Sequence, residues 1–146
     1  MLFPLHSKRW RDLALTFIAV LVFQLIGVVR GENRNRPWKA PARAANSQNP
    51  VRADDRSLSA GKAIFVKECI TCHGESGNGN GPDAADLSTQ PPDFAAPAVT
   101  DQSDGELFWK MTQGRKPMPS FGRMLSDNDR WNLVNYIRSI SHKGRT

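Results

Sequence analysis

The chain has 146 residues, with 20 Lys/Arg against 14 Asp/Glu and a formal charge of +6, enough for one domain and an appendage. The positive excess lies in residues 1–57, ten Lys/Arg against four Asp/Glu, while residues 58–146 hold ten of each. A nucleic-acid-binding domain needs basic residues on a folded face, so that class is excluded, and the remaining C-terminal portion is small for a core built from side chains alone.

Residues 1–12 form a short basic segment with Lys8, Arg9 and Arg11. Leu13–Val29 (LALTFIAVLVFQLIGVV) is a 17-residue apolar run, at the lower edge for a bilayer span and longer than a usual signal-peptide core. No small-x-small cleavage site follows it directly, so an uncleaved transmembrane signal anchor over 13–29 is expected. Lys8, Arg9 and Arg11 oppose Arg30, Arg34, Arg36 and Lys39, and the positive-inside rule does not decide the orientation. Residues 30–57 carry Pro37, Pro41 and Pro50 among Arg, Asn, Ala and Ser without apolar periodicity. They read as a flexible tether with a root-mean-square reach of about 30 Å.

The folded domain is expected over 58–146. Ser59 is a candidate N-cap for a helix over Ala60–Ile70, whose Ala63, Ile64, Phe65 and Val66 supply an apolar face. Gly61 in that helix costs about 1 kcal/mol relative to Ala, which fits either a close helix contact or a frayed start. The helix delivers Cys69-Ile70-Thr71-Cys72-His73, the Cys-x-x-Cys-His pattern of covalent c-type haem attachment. Two thiols three positions apart reach the two vinyl groups of one haem, and the next residue sits beneath the iron as a ligand. A thioredoxin-like dithiol, a disulfide and half of a zinc site share the bare Cys-x-x-Cys. No βαβ pattern surrounds it, the chain has only these two cysteines, and His6 and His142 lie near its ends, whereas a structural zinc site takes four ligands.

Gly74, Gly77, Gly79 and Gly81 then make a loop that ends at Pro82. The Pro82 carbonyl, or a neighbouring one, is a candidate acceptor for the second ring N–H of His73. No Lys-Ser/Thr follows these glycines, which weakens a phosphate-cradle reading. Asp83–Leu87 is expected as a short helical turn, and Pro91-Pro92-Asp93-Phe94 with Pro97 as an extended edge. Ser103-Asp104-Gly105-Glu106 is a capping box opening a helix that stops at Gly114. Ser126–Asp129 opens a final amphipathic helix with Trp131, Leu133, Val134, Ile137 and Ile140 on its apolar side. No strand and no internal repeat is expected.

A second axial ligand has five candidates: Met111, Met118, Met124, His142 and His6. His6 precedes the apolar run, and Met111 sits at a core-like helical position. Met118 stands between Pro117 and Pro119, 45 residues after His73; the prolines stiffen the loop around its thioether. Met118 is therefore preferred, with Met124 as the alternative. A thioether ligand raises the potential relative to bis-histidine ligation.

From Leu58 to Ser141 these features together resemble a class I c-type cytochrome domain: Gly61…Phe65, Cys69–Gly74, the glycine loop to Pro82, Pro-Met-Pro around Met118, and the terminal Trp131…Tyr136 helix. Pro91–Phe94 and the loop are similar to mono-haem domains of bacterial respiratory and alternative dehydrogenase systems. Asn80 replaces an Asp found in many such domains. The resemblance implies an all-α class I cytochrome c fold around one covalent haem c, with Cys69 and Cys72 as thioethers and His73 and Met118 as axial ligands. It implies terminal helices crossing near a right angle, with Gly61 and Phe65 meeting Trp131 or Tyr136. Phe94, Leu107, Trp109, Phe121 and Leu125 are candidate pocket residues, and Arg115 and Lys116 either face haem propionates or are solvated surface charges. The implied role is electron transfer between redox partner proteins. Covalent haem is normally installed outside the bacterial inner membrane, so the haem domain is expected on the periplasmic face. A fixed subunit of a membrane oxidoreductase is the alternative, and a five-coordinate sensor or peroxidase a third reading.

Overall fold

Asp54 starts the first long helix of the domain. A computed structural model describes residues 37–141. The Asp54 carboxylate accepts the Ser57 N–H at 3.0 Å, and the helix runs over Asp55–Glu68. It begins five residues before the expected Ala60, because Asp54, and not Ser59, satisfies the orphan amides of the first turn. Gly61 is therefore well inside the helix.

The elements follow in order: α1 Ala42–Ala45, α2 Asp55–Glu68, α3 Ile70–His73, a 3₁₀ turn Ala84–Asp86, α4 Pro97–Thr100, α5 Asp104–Gln113 and α6 Asp127–Ser141. Pro97 was expected in extended chain; its fixed φ instead suits the first position of α4. The capping box at Ser103 and Glu106 forms with both reciprocal bonds, and α5 stops at Gly114 as its sequence predicts. Ser126 and Asp129 cap α6 reciprocally, the Asp129 N–H donating to Ser126 Oγ at 3.2 Å and the Ser126 N–H to Asp129 Oδ2 at 3.3 Å. No strand occurs among the described residues, only an isolated bridge between Arg115 and Met118. The expected all-helical architecture is the one observed.

Helices α2 and α6 form the most extensive contact of the domain. Gly61 makes it possible: a Cβ there would overlap the Asn132 carbonyl oxygen and approach Tyr136 Cβ at 2.8 Å. Four residues on, Phe65 is 1% exposed and meets the Tyr136 ring at 5.3 Å between centroids. Trp131 instead stacks on Phe108 of α5 at 4.0 Å. Gly61→Val is expected to destabilise the domain by about 1–3 kcal/mol through overpacking. Ala63→Val, at an exposed position of the same helix, should stay within about 0.5 kcal/mol; denaturant unfolding of both variants checks this.

The compact unit extends from Lys39, and the stretch expected as the end of a flexible tether is packed against it. Ser103 Oγ donates to the Ala45 carbonyl at 2.6 Å. Gly105, at the start of α5, leaves room for the carbonyls of Ala44 and Ser47. Asn49 Nδ2 donates to Asn135 Oδ1 at 2.8 Å, and Asn135 Nδ2 donates to the Val51 carbonyl at 3.0 Å and to Ser57 Oγ at 2.8 Å. Ser57 Oγ in turn donates to Asn132 Oδ1 at 2.8 Å. This arm docks through carbonyls, amides and small side chains, so it has no apolar stripe by which to announce itself. The preceding unit, Met1–Trp38, is described only at Pro37 and Trp38. Among the described residues no helix is long and apolar enough to cross a membrane; the expected span over 13–29, with His6 and His142, lies outside them.

Candidate functional site

The Cys-x-x-Cys-His segment is a sharp turn followed by one turn of helix. Cys69 leaves α2 with φ −123° and its N–H still bonded to the Phe65 carbonyl at 2.9 Å. Its own carbonyl receives the His73 N–H at 2.9 Å, closing α3. The glycine loop then folds back over this turn. Gly79 N–H donates to the His73 carbonyl at 2.9 Å, Gly81 N–H to that of Cys72 at 3.2 Å, and Asp83 N–H to that of Thr71 at 2.8 Å. The carbonyls ending α3 are thus satisfied by loop amides, which fixes the backbone beneath the three chemical residues.

Both thiols are free and half-buried. Burial pushes the Cys69 thiol up to about 12, helped by the nearby Glu68 carboxylate and the Cys72 thiol. A redox dithiol relies on a depressed thiol pKa, the opposite of the direction in which burial moves Cys69. Among the described residues no group of three or more His, Cys, Asp or Glu is placed to hold a metal ion.

The His73 ring stacks on Phe94 with centroids 4.7 Å apart and planes at 30°. Phe94 is itself held, its N–H on the Gly77 carbonyl at 2.8 Å and its ring edge-on to Phe65 at 6.2 Å. Gly77 has φ 74°, and a Cβ there would lie 2.5 Å from Phe94 Cδ2, so the loop approaches the ring closely because residue 77 has no side chain. Burial lowers the pKa of His73 and favours the neutral imidazole. Its Nδ1 is buried with no hydrogen-bond partner; the acceptor expected at Pro82 is not engaged. An unpaired buried nitrogen costs about 1–3 kcal/mol.

Met118 lies in the loop after α5, its N–H bonded to the Arg115 carbonyl at 2.9 Å. Its side chain is half-buried against the core cluster. Met124 is 59% exposed, and Met111 is buried in the core, matching the packing role its helical position predicts. Of the expected pocket residues, Phe94, Leu107 and Phe121 are buried, Leu125 packs against the core, and Trp109 is half-buried. Arg115 and Lys116 are exposed. The stacking of Phe94 on His73 had no local signal in the sequence, since the two residues meet only through the loop between them. Two free thiols bracketing one turn, an imidazole with an unpaired buried nitrogen, and a thioether at the edge of the core together fit a covalent haem.

A family profile described as "Cytochrome C oxidase, cbb3-type, subunit III" matches residues 56–137. The chain belongs to the class I c-type cytochromes. It is 31% identical over 90 residues to cytochrome c6 of Gracilaria tenuistipitata var. liui, covering 60% of this cytochrome and 76% of that protein. It is 32% identical over 84 residues to cytochrome c6 of Bumilleriopsis filiformis, covering 58% and 92%. Among solved structures it is similar to a chain of the reducing HAO-like protein complex of Kuenenia stuttgartiensis, with a TM-score of 0.57 and 35% identity. That match covers 62% of this cytochrome and 46% of that chain, so the cytochrome spans about half the length of its structural neighbour. By family, the cytochrome carries a covalently bound c-type haem and takes part in haem-mediated electron transfer with redox partners.

Proposed function

We propose that this cytochrome is a membrane-anchored mono-haem electron carrier on the periplasmic face of the bacterial inner membrane. Cys69 and Cys72 would hold the haem through two thioethers, and His73 and Met118 would ligate its iron. The haem, when bound, supplies a one-electron Fe(III)/Fe(II) couple. The protein presents a neutral imidazole on a backbone locked by the glycine loop, a thioether from the loop after α5, and an apolar surround that excludes water. The observation that carries the reading is the location of Met118, half-buried against the core where Met124 is exposed. With the iron held by two protein side chains, electron exchange would be favoured over the five-coordinate sensor or peroxidase reading.

The anchor and its orientation rest on Leu13–Val29 and on where c-type haem is attached. Alkaline phosphatase fused after Pro50 is expected to be active; an inactive, well-expressed fusion would sink this topology. A fixed subunit of an oxidoreductase is the second reading, supported by the structural neighbour in a protein complex. Extraction in mild detergent separates the two, because a carrier runs as a monomer and a subunit co-purifies with fixed stoichiometry.

A further inference from the structure

Asn78-Gly79 and Asn80-Gly81 are the two Asn-Gly pairs among the nine asparagines of the chain. Such a pair carries a latent reaction. The glycine nitrogen loses its proton and attacks Cγ of the asparagine side chain, ammonia leaves, and a five-membered succinimide forms. Water then opens the ring at one of its two carbonyls. One opening gives aspartate. The other gives isoaspartate, in which the main chain runs through the side-chain carbon and is one carbon longer. Glycine favours the attack because it puts no side chain in the way and leaves the backbone free to turn. The Asn78 and Asn80 side chains are both exposed, and both carboxamide oxygens lean over Gly74.

The two attacking nitrogens are held elsewhere. Gly79 N–H donates to the His73 carbonyl at 2.9 Å, and Gly81 N–H to the Cys72 carbonyl at 3.2 Å. A succinimide nitrogen carries no hydrogen, so a ring at either position removes a bond that seats the loop on the Cys69–His73 turn and leaves a carbonyl there unpaired. The loop is closed further by Gly77 N–H on the Gly74 carbonyl, Asp83 N–H on that of Thr71 and Phe94 N–H on that of Gly77, so freeing either nitrogen means opening several bonds together. The closed loop also has no space for a longer main chain. A Cβ on Gly79 would overlap the Pro91 carbonyl, and one on Gly81 the Thr71 carbonyl. We propose that Asn78 and Asn80 are modification sites gated by this loop. Closed, it keeps both asparagines intact; open, they pass through succinimide, and the isoaspartate product does not reseat over Cys69–His73. Water is the only co-reactant, and the modification marks chains whose haem domain has opened.

The test ages the haem-loaded full chain in neutral detergent micelles beside a synthetic peptide of residues 74–83, at mildly alkaline pH. Isoaspartate is counted by enzymatic carboxyl methylation and placed by mass spectrometry. The peptide should convert at both asparagines, and the folded chain about a hundredfold more slowly, because only its open fraction reacts. Urea should speed conversion in the chain and hardly alter the peptide. Chain aged in urea is then returned to urea-free buffer, and its isoaspartate-containing fraction is isolated. That fraction is expected to unfold at a lower temperature and to lose amide-exchange protection at Gly79 and Gly81. Asn78→Asp with Asn80→Asp, which adds the charges without the extra carbon, should match the unaltered chain in both measurements. A folded chain that ages as fast as the peptide would overturn the gating. An isoaspartate fraction that behaves as the double variant does, or a double variant that itself fails to fold, would overturn the account of the longer main chain.

Discussion

A chain carrying Cys69→Ser and Cys72→Ser is expected to show no haem on the polypeptide after denaturing electrophoresis, where the unaltered chain keeps it. These are the two cysteines of the sequence, and both are free thiols at the ends of one helical turn. Without thioethers, coordination alone holds the group, and denaturant releases it. One serine at a time should leave a single thioether and reduced loading. The effect reaches the fold as well, since a domain this small depends on added apolar bulk. The doubly substituted chain is therefore expected to unfold at a lower temperature and to accumulate poorly. A haem-stained band surviving both replacements would show that the attachment is elsewhere.

Met118→Ala should abolish the weak long-wavelength sulfur-to-iron band of the ferric form. It should also lower the reduction potential by on the order of 0.1 V or more, since a thioether ligand raises it. Met124→Ala is expected to change neither, because that side chain is 59% exposed. Met111→Ala empties a core position and should cost about 2–5 kcal/mol of stability while keeping the band. Visible spectra and potentiometry on the three variants separate ligation from packing. Loss of the band in Met124→Ala and not in Met118→Ala would move the ligand.

Features written in adjacent residues were legible before any coordinates. The Ser103–Glu106 box and the Ser126–Asp129 cap each satisfy a local rule and form as their spacing predicts, and Cys69 to His73 is a motif of adjacent residues that closes one helical turn. Gly61 was ambiguous in isolation and is decided by Asn132 and Tyr136, more than 70 residues away. The start of α2 was misplaced because Ser59 and Asp54 are both acceptable caps; the one that docks Ser57 under Asn132 and Asn135 prevails. The arm over residues 41–52 was illegible for another reason. Its docking uses carbonyls, side-chain amides and a glycine, and none of these has a hydrophobic period.

The docked arm also sets a length. For a chain anchored through residues 13–29, as proposed above, the covalent leash would run from residue 30 to residue 57 if all of it were free, about 100 Å fully extended. With the chain packed from Pro41 on, eleven residues remain, about 40 Å at most. For a flexible leash, the effective concentration of any partner within reach would rise by about fourfold. Partners farther out than the leash are lost altogether. With such an anchor, the contacts of Ala45 with Ser103 and of Ala44 and Ser47 with Gly105 would limit which proteins the cytochrome is able to meet, although none of these residues belongs to the proposed haem ligands.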